Sequence, residues 1–497
     1  MKTLVTTVTI LLLIGVAVGV WLLRSQRQAP AEAHQMAPET ETSRRALLRY
    51  PEIEARVRQT QSDADPAAIE KRVHAELARQ LGTDAKELKE TGMHLFETWK
   101  QATDATPFEK ATAAYVVKNY VDAEKLALQA ADDAQKFGPK TADTIRAYSL
   151  AGLAAQANLE YEIALNHFRA AEKFTDLRED ATEWATVQEQ IATILSQQGQ
   201  YAKVKELLQK VVEVRTRKFG AQERETLEAR GRLAAVTSQL TRYADAEVQF
   251  REVVTLEEKL LGPEDPVTLW SRISMAQTLD NEAKYGEAEA EFREILKVDE
   301  KVLGPQHPAT LHARNSVART TMRRGNNAEA KIEFTALAHL AEKLFGPEHP
   351  DTLLFRANLA VALMGLYEFA DAETELRDVL RLRKKILGPE HRDTLKTAGI
   401  LAQALDKEDK IEEAEALYRD TMARTEKLLG PDDPETIYAY GNLAISLERH
   451  YHLKAAKPIA QKALDRARRV FGRDHPTTKS YQDVMQAIDA TMHLDRP

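Results

Sequence analysis

Apolar positions along this chain recur at helical spacing, and strand-like alternation is absent. Ile69, Val73, Leu77 and Leu81 fall every four residues behind Asp65-Pro66, a capping side chain followed by a proline at the first helical position, and Gly82 is placed to stop that helix. A second helix is predicted from about Asp84 to Lys100, with Leu88, Leu95, Phe96 and Trp99 on one side. From about Pro107 the pattern changes to pairs of amphipathic runs, each of about 17 residues, joined by a short polar turn. Each pair predicts a helical hairpin.

The hairpins repeat. Gly220, Gly262, Gly304, Gly346, Gly388, Gly430 and Gly472 stand at a constant 42-residue interval, the mark of a stacked array. In the same frame fall two series of alanines: Ala234, Ala276, Ala318, Ala360, Ala402 and Ala444, then Ala246, Ala288, Ala330, Ala372, Ala414 and Ala456. Ala123, Val204 and Ala164 extend the second series backwards at slightly different spacing, which gives about nine units. In one of them a first helix is predicted from Pro350 to Leu366 and a second from Phe369 to Leu387, with Ala360 and Ala372 letting the backbones approach. Gly388 should end the second helix in a left-handed turn, and Asp265-Pro266 or His349-Pro350 should cap the first. One hairpin cannot bury its own apolar face, so neighbours must stack.

Leu359-Ala360, then Phe369-Ala370-Asp371-Ala372-Glu373, with a hydrophobic residue and Gly-Pro closing the unit, resembles the tetratricopeptide repeat. The 42-residue period with segments such as LFGPEHPDTL from Leu344 is similar to the longer variety in kinesin light chains. The resemblance implies an all-α, right-handed superhelical solenoid of stacked hairpins, ended by a solvating helix from Thr477 to Met492. Two departures, Asn326-Asn327 in place of the turn aromatic and Pro458 early in the last second helix, put local regularity in question. The resemblance further implies that the first helices line a concave groove for an extended peptide. On this chain that groove would hold Trp270, Ile273, Gln277 and Asp280, then His312, Asn315, Arg319 and Arg323, then Leu354, Ala357, Val361, Met364, Lys396, Gln403 and Lys407. Asn358 and Asn442, each before Leu-Ala, take the place where the family often carries a peptide-binding asparagine. Of the family's carboxylate-clamp pattern, Asn358 and Lys396 match and Arg319 roughly so. Asn315 stands where a lysine is expected, and Ile400 where a second base is. The stretch from His312 to Lys407 is basic on an otherwise acidic chain, which favours acidic ligands. Asn358, with Arg319, Lys396 and Lys407 around it, is expected to be the centre of the ligand site.

The first residues change the picture. Thr3 to Leu23 carries no charge and is long enough to cross a bilayer. Arg24 and Arg27 follow at once, ahead of the small-residue sites Ala29-Pro30-Ala31 and Ala31-Glu32-Ala33, which favours an uncleaved single-pass anchor over a cleaved signal and export of the array. The expected organisation is then a span over residues 1–23, a flexible linker over 24–43, a helical segment over 44–106, the repeats over 107–475 and a terminal helix and tail over 476–497.

Composition narrows the chemistry. In 497 residues, 69 Lys and Arg oppose 77 Asp and Glu for a net −8, too balanced to predict a nucleic-acid partner. With no cysteine there can be no disulfide, thiolate metal site or cysteine nucleophile. The chain carries no GxSxG, HExxH, Walker or dinucleotide motif, and Gly138-Pro139-Lys140-Thr141 lacks the upstream glycine of a phosphate loop. His307, His349, His391 and His475 occupy the same turn in different units, too far apart to share a metal and suited instead to helix capping. No cofactor, metal or catalytic residue is expected. The expected function is a membrane-tethered scaffold binding a protein or peptide. The alternatives are an exported chaperone or assembly factor, and an enzyme or regulatory subunit working through the residues before Pro107. Self-association is open, since Trp270 or Leu354 would fit a homodimer seam as well as a peptide.

Overall fold

In the structure, a computed structural model, residues 47–60, 66–81, 96–99, 105–136, 142–176, 181–473 and 475–494 are described, and all the regular elements among them are α-helices. The chain divides into two units, Met1–Leu233 and Ala234–Pro497.

In the first unit, α1 (Tyr50–Thr60) and α2 (Pro66–Leu81) enclose Tyr50, Ile53, Ile69, Val73 and Leu77 together with Phe96 and Trp99. Ala113 of α3 (Pro107–Val116) belongs to the same core, so this segment docks on the first hairpin as a helical cap. Thr106 and Glu109 close a reciprocal capping box at the start of α3. The hairpins continue with α4 (Tyr120–Lys136), α5 (Ala142–Ala157), α6 (Tyr161–Glu172), α7 (Ala181–Gln197) and α8 (Tyr201–Phe219). Helix α9 (Arg224–Gln239) runs across the division between the units.

The second unit is built from α10 (Tyr243–Leu260), α11 (Pro266–Asn281), α12 (Tyr285–Val302), α13 (Pro308–Arg323), α14 (Asn327–Phe345), α15 (Pro350–Gly365), α16 (Phe369–Ile386), α17 (Arg392–Lys407), α18 (Ile411–Leu429), α19 (Pro434–Arg449), α20 (Leu453–Val470) and α21 (Pro476–Leu494). Both alanine series are buried throughout, as the close approach of paired helices requires. Asp265 accepts from the Val267 amide at 2.9 Å, and the Nδ1 atoms of His307, His349, His391 and His475 accept from the amide two residues on at 3.2 Å. Those histidines are caps. The closing glycines are more demanding than a left-handed turn: Gly346 (φ 95°, ψ 165°) and Gly430 (φ 84°, ψ 172°) lie in a region open essentially to glycine alone. Neither place of questioned regularity interrupts a helix. Asn327 opens α14 and its amide donates to the Gly365 carbonyl at 3.0 Å, while Pro458 sits inside an unbroken α20. At the far end Tyr481 of α21 lies over Gly441, where a Cβ would come within 2.1 Å of the tyrosine ring.

The expected membrane location does not stand. Among the described residues no helix is long and apolar enough to cross a membrane, and Thr3–Leu23, on which that expectation rested, lies outside them. The linker over 24–43 and Gly138–Thr141 also lie outside them, as does most of the predicted Asp84–Lys100 helix, of which 96–99 is helical.

Stacking in the second unit is reinforced by a periodic set of ion pairs. Arg272–Glu291, Arg314–Glu333 and Arg356–Glu375 join the two helices of successive hairpins. Glu247, Glu289 and Glu373 each take an arginine four residues on, plus Lys284, Arg324 or Lys410 from the following interhelical turn. The Lys284 hydrogen bond holds the Glu247 carboxyl below its ordinary range. Burial alone would raise Glu289 and Glu373, but hydrogen bonds from Arg324 and Arg293, and from Lys410 and Arg377, outweigh it and lower both. A carboxyl whose folded pKa is depressed adds stability that is complete above its unfolded value and lost as pH falls through the folded one. The urea midpoint of the chain should therefore hold from neutrality to about pH 5 and fall below about pH 4.5. Glu373→Gln should flatten that fall, and an acid limb identical to that of the parent chain would show that the pair does not stabilise the stack.

Candidate functional site

The fifth residue of each first helix in the second unit is, in turn, Trp270, His312, Leu354, Lys396 and Tyr438, none of them fully buried. Tyr438, the last of the row, faces back towards α13. Arg323 of α13 acts electrostatically on the Tyr438 phenol, although α13 and α19 are three hairpins apart. Burial raises that phenol, with a Thr477 hydrogen bond and the Arg323 charge opposing.

Along the inner face, polar groups bridge successive first helices. Thr278 Oγ1 donates to Ser238 Oγ at 3.0 Å, His312 Nε2 stands 3.0 Å from Asp351 Oδ1, and Asn358 Nδ2 donates to Asn315 Oδ1 at 2.7 Å. Two buried carboxylates anchor the two ends of this ladder. Asp280, 2% exposed, takes Arg323 at 3.1 Å and Arg319 at 3.4 Å on the same Oδ2, and Arg323 also lies over the Tyr285 ring. Three repeats on, Asp406 takes Ser446 at 2.7 Å, His450 at 2.8 Å and Arg449.

The two anchors differ in how fully they are satisfied. Asp406 has partners on both oxygens. At Asp280, Oδ1 has no hydrogen-bond partner among the described residues, and neither has Arg319 Nε. Arg319 keeps 35% of its side-chain surface open. Burial is nevertheless the largest influence on its guanidinium and pushes it below its ordinary value, with Asp280 opposing and Arg323 adding to the fall. Part of the guanidinium is therefore reachable, while Nε is closed off from solvent. Two arginines against one aspartate leave one positive charge there.

The expected site residues are thus brought together only in part. Asn315 and Asn358 form one pair, and Arg319 and Arg323 another cluster on Asp280. Lys396 and Lys407 are exposed and make no ion pair among the described residues. They are separated by three turns of α17, so Lys407 does not converge with Lys396 on Asn358. Trp270 and Asn442 lie half-buried on α11 and α19. Asp406 with Arg449 and His450 escaped sequence reasoning. The signal was present, since Asp406 and Arg449 repeat Asp280 and Arg323 three units later. Among the described residues no group of three His, Asp or Glu side chains is arranged to hold a metal.

Comparison with protein families matches three consecutive tetratricopeptide repeats at residues 268–309, 310–351 and 352–393, and further tetratricopeptide segments at 184–259 and 407–469. These spans together exceed half of the chain. The chain belongs to the tetratricopeptide-repeat family. Among solved structures, this tetratricopeptide-repeat protein is similar to a point variant of the nearly identical repeats assigned to a kinesin light chain of Podosopora anserina, at 26% identity over 40% of this chain and 95% of that one, with a TM-score of 0.35. It is also similar to BtubC (BKLC) from P. vanneervenii, at 15% identity over 51% and 94% with a TM-score of 0.35. The apo quorum sensor NprR from B. thuringiensis matches at 13% identity over 76% and 99%, with a TM-score of 0.49. No curated protein matches the sequence. Membership in this repeat family makes the array a scaffold for protein–protein interaction.

Proposed function

We propose that this tetratricopeptide-repeat protein holds an extended, acidic segment of a partner protein along the inner faces of α11, α13, α15, α17 and α19, and performs no chemistry itself. The observation that carries the reading is Arg319: desolvated, partly exposed, and set beside an aspartate already shared with Arg323. A carboxylate entering there gains a charge-assisted hydrogen bond and needs little further desolvation of the arginine. The Asn315–Asn358 amides offer both donor and acceptor to a peptide backbone, and exposed Lys396 adds a second cation farther along the row. The described residues before Pro107 pack on the first hairpin, as a cap does.

The test places a photoreactive residue at Gln277 or Gln403 on the inner face, and at Val248 or Ile332 on exposed second-helix surface, in the full chain in cells. Inner-face adducts should map by mass spectrometry to Asp- and Glu-rich extended segments of one partner. Adducts formed equally at Ile332, or inner-face adducts with no acidic bias, would overturn the reading.

A further inference from the structure

Two positions in the second unit break the rule of their own repeat. Leu260, Val302, Leu344, Ile386 and Leu428 occupy the same place near the end of successive second helices, and each is 39–52% exposed. Their next counterpart, Val470, is partly covered. In the turn between the two helices of each hairpin, Ala283, Gly325, Tyr367, Asp409 and Tyr451 are exposed, all with positive φ. Their first counterpart in this unit, Thr241 (φ 58°), is partly covered. The two exceptions touch: Thr241 Oγ1 donates to the Val470 carbonyl at 2.9 Å across 229 residues of sequence.

Neighbouring groups continue the contact. Tyr243, two residues after Thr241, is buried enough to raise its phenol and senses Tyr438 on α19. Tyr438 stacks on Phe471, with ring centroids 5.7 Å apart, and Phe471 stacks on His475. The first turn of the unit therefore rests against its last complete hairpin.

We infer that the second unit is a closed ring, latched between the α9–α10 turn and the end of α20, and that this latch gates the inner face. The inference rests on the groove reading for its purpose and on the Thr241–Val470 contact for its existence. One neutral hydrogen bond forms a small contact beside the apolar cores that hold each hairpin to the next, so the ring opens at the latch before any hairpin unstacks. A partner loop without an end cannot thread a closed ring, so for it opening must precede binding. The apparent affinity for such a partner falls with the fraction of molecules that are open.

The chain has no cysteine, so Thr241→Cys with Val470→Cys provides a single possible intramolecular disulfide. In dilute full-length protein, mild oxidation should close it within one chain and shift its mobility on a non-reducing gel. Thr241→Cys with Leu428→Cys, one hairpin earlier, should not close. A third substitution, Gln403→Cys, then reports on the inner face. In the locked ring its reaction with a maleimide on a long polyethylene-glycol chain should slow by about tenfold, in proportion to the open fraction, while N-ethylmaleimide reacts unchanged. Thr241→Asp sets a carboxylate against the Val470 carbonyl in a turn that Asp409 shows to accept aspartate, and should speed the large reagent. Failure to crosslink, or crosslinking only between two chains, overturns the ring. Crosslinking with unchanged labelling by the large reagent overturns the gate. Neither reagent requires a peptide ligand, so gated labelling with no inner-face photoadducts would leave the ring standing and remove only the groove reading.

Discussion

Ala372→Leu should lower the stability of the second unit by about 1 to 3 kcal/mol, read as a fall in urea midpoint at unchanged slope. Ala372 opens the second helix of its hairpin and is fully buried in a core that also contains Ala360, Leu363, Leu376, Ala398 and Leu401 and continues as far as Ile488 of α21. Its methyl group is wholly enclosed by that core, so three added carbons must displace a neighbour. Ala360→Leu should act alike. Because each hairpin shares its core with the next, amide exchange should rise in α17 and α18 as well as in α15 and α16. Ala370, two residues away on the same helix, is exposed, and Ala370→Leu should leave the midpoint within about 0.5 kcal/mol. Equal behaviour of the Ala370 and Ala372 variants would show that the burial pattern of the hairpin is wrong.

Arg319→Met should weaken binding of the acidic segment identified by crosslinking about tenfold or more, since a hydrogen bond to a charged group contributes about 1.5 to 3 kcal/mol. Folding should hardly change, because Arg323 still holds Asp280 Oδ2 at 3.1 Å and its backbone carbonyl at 3.2 Å. Asn358→Ala is a less selective test of the same site. Its amide donates to Asn315, which is itself buried, so truncation strands an acceptor and costs stability along with affinity. Lys396→Glu should weaken association chiefly at low salt, as an exposed and screened charge does. If Arg319→Met binds the segment with parent affinity, the ligand lies elsewhere on the array.

Much of the site was legible as a set of positions and little of it as a set of contacts. The 42-residue frame places Arg319, Asn358, Lys396 and Lys407 on first helices, but it treats them as pointing at a common centre. Arg319 instead turns back towards the preceding repeat, because Asp280 is buried there and a buried carboxylate without a cation is far more costly than an exposed arginine without one. Asn358 likewise meets Asn315 before it can meet a ligand. The rest of the ladder was hidden for the same reason: Asp406, Ser446, Arg449 and His450 are ordinary polar residues until stacking brings successive first helices side by side.

The sequence by itself determined the helices, their caps and their pairing. Proline after Asp or His, glycine at the close and alanine at the crossing act within one hairpin or between immediate neighbours, so a pattern of a few dozen residues contains their physics. Tertiary structure alone decided which charges are committed to the fold and that Thr241 meets Val470. That contact depends on the rotation added by each successive hairpin, a small angle set by side-chain packing at every interface, and its accumulated value over more than five repeats appears in no local pattern.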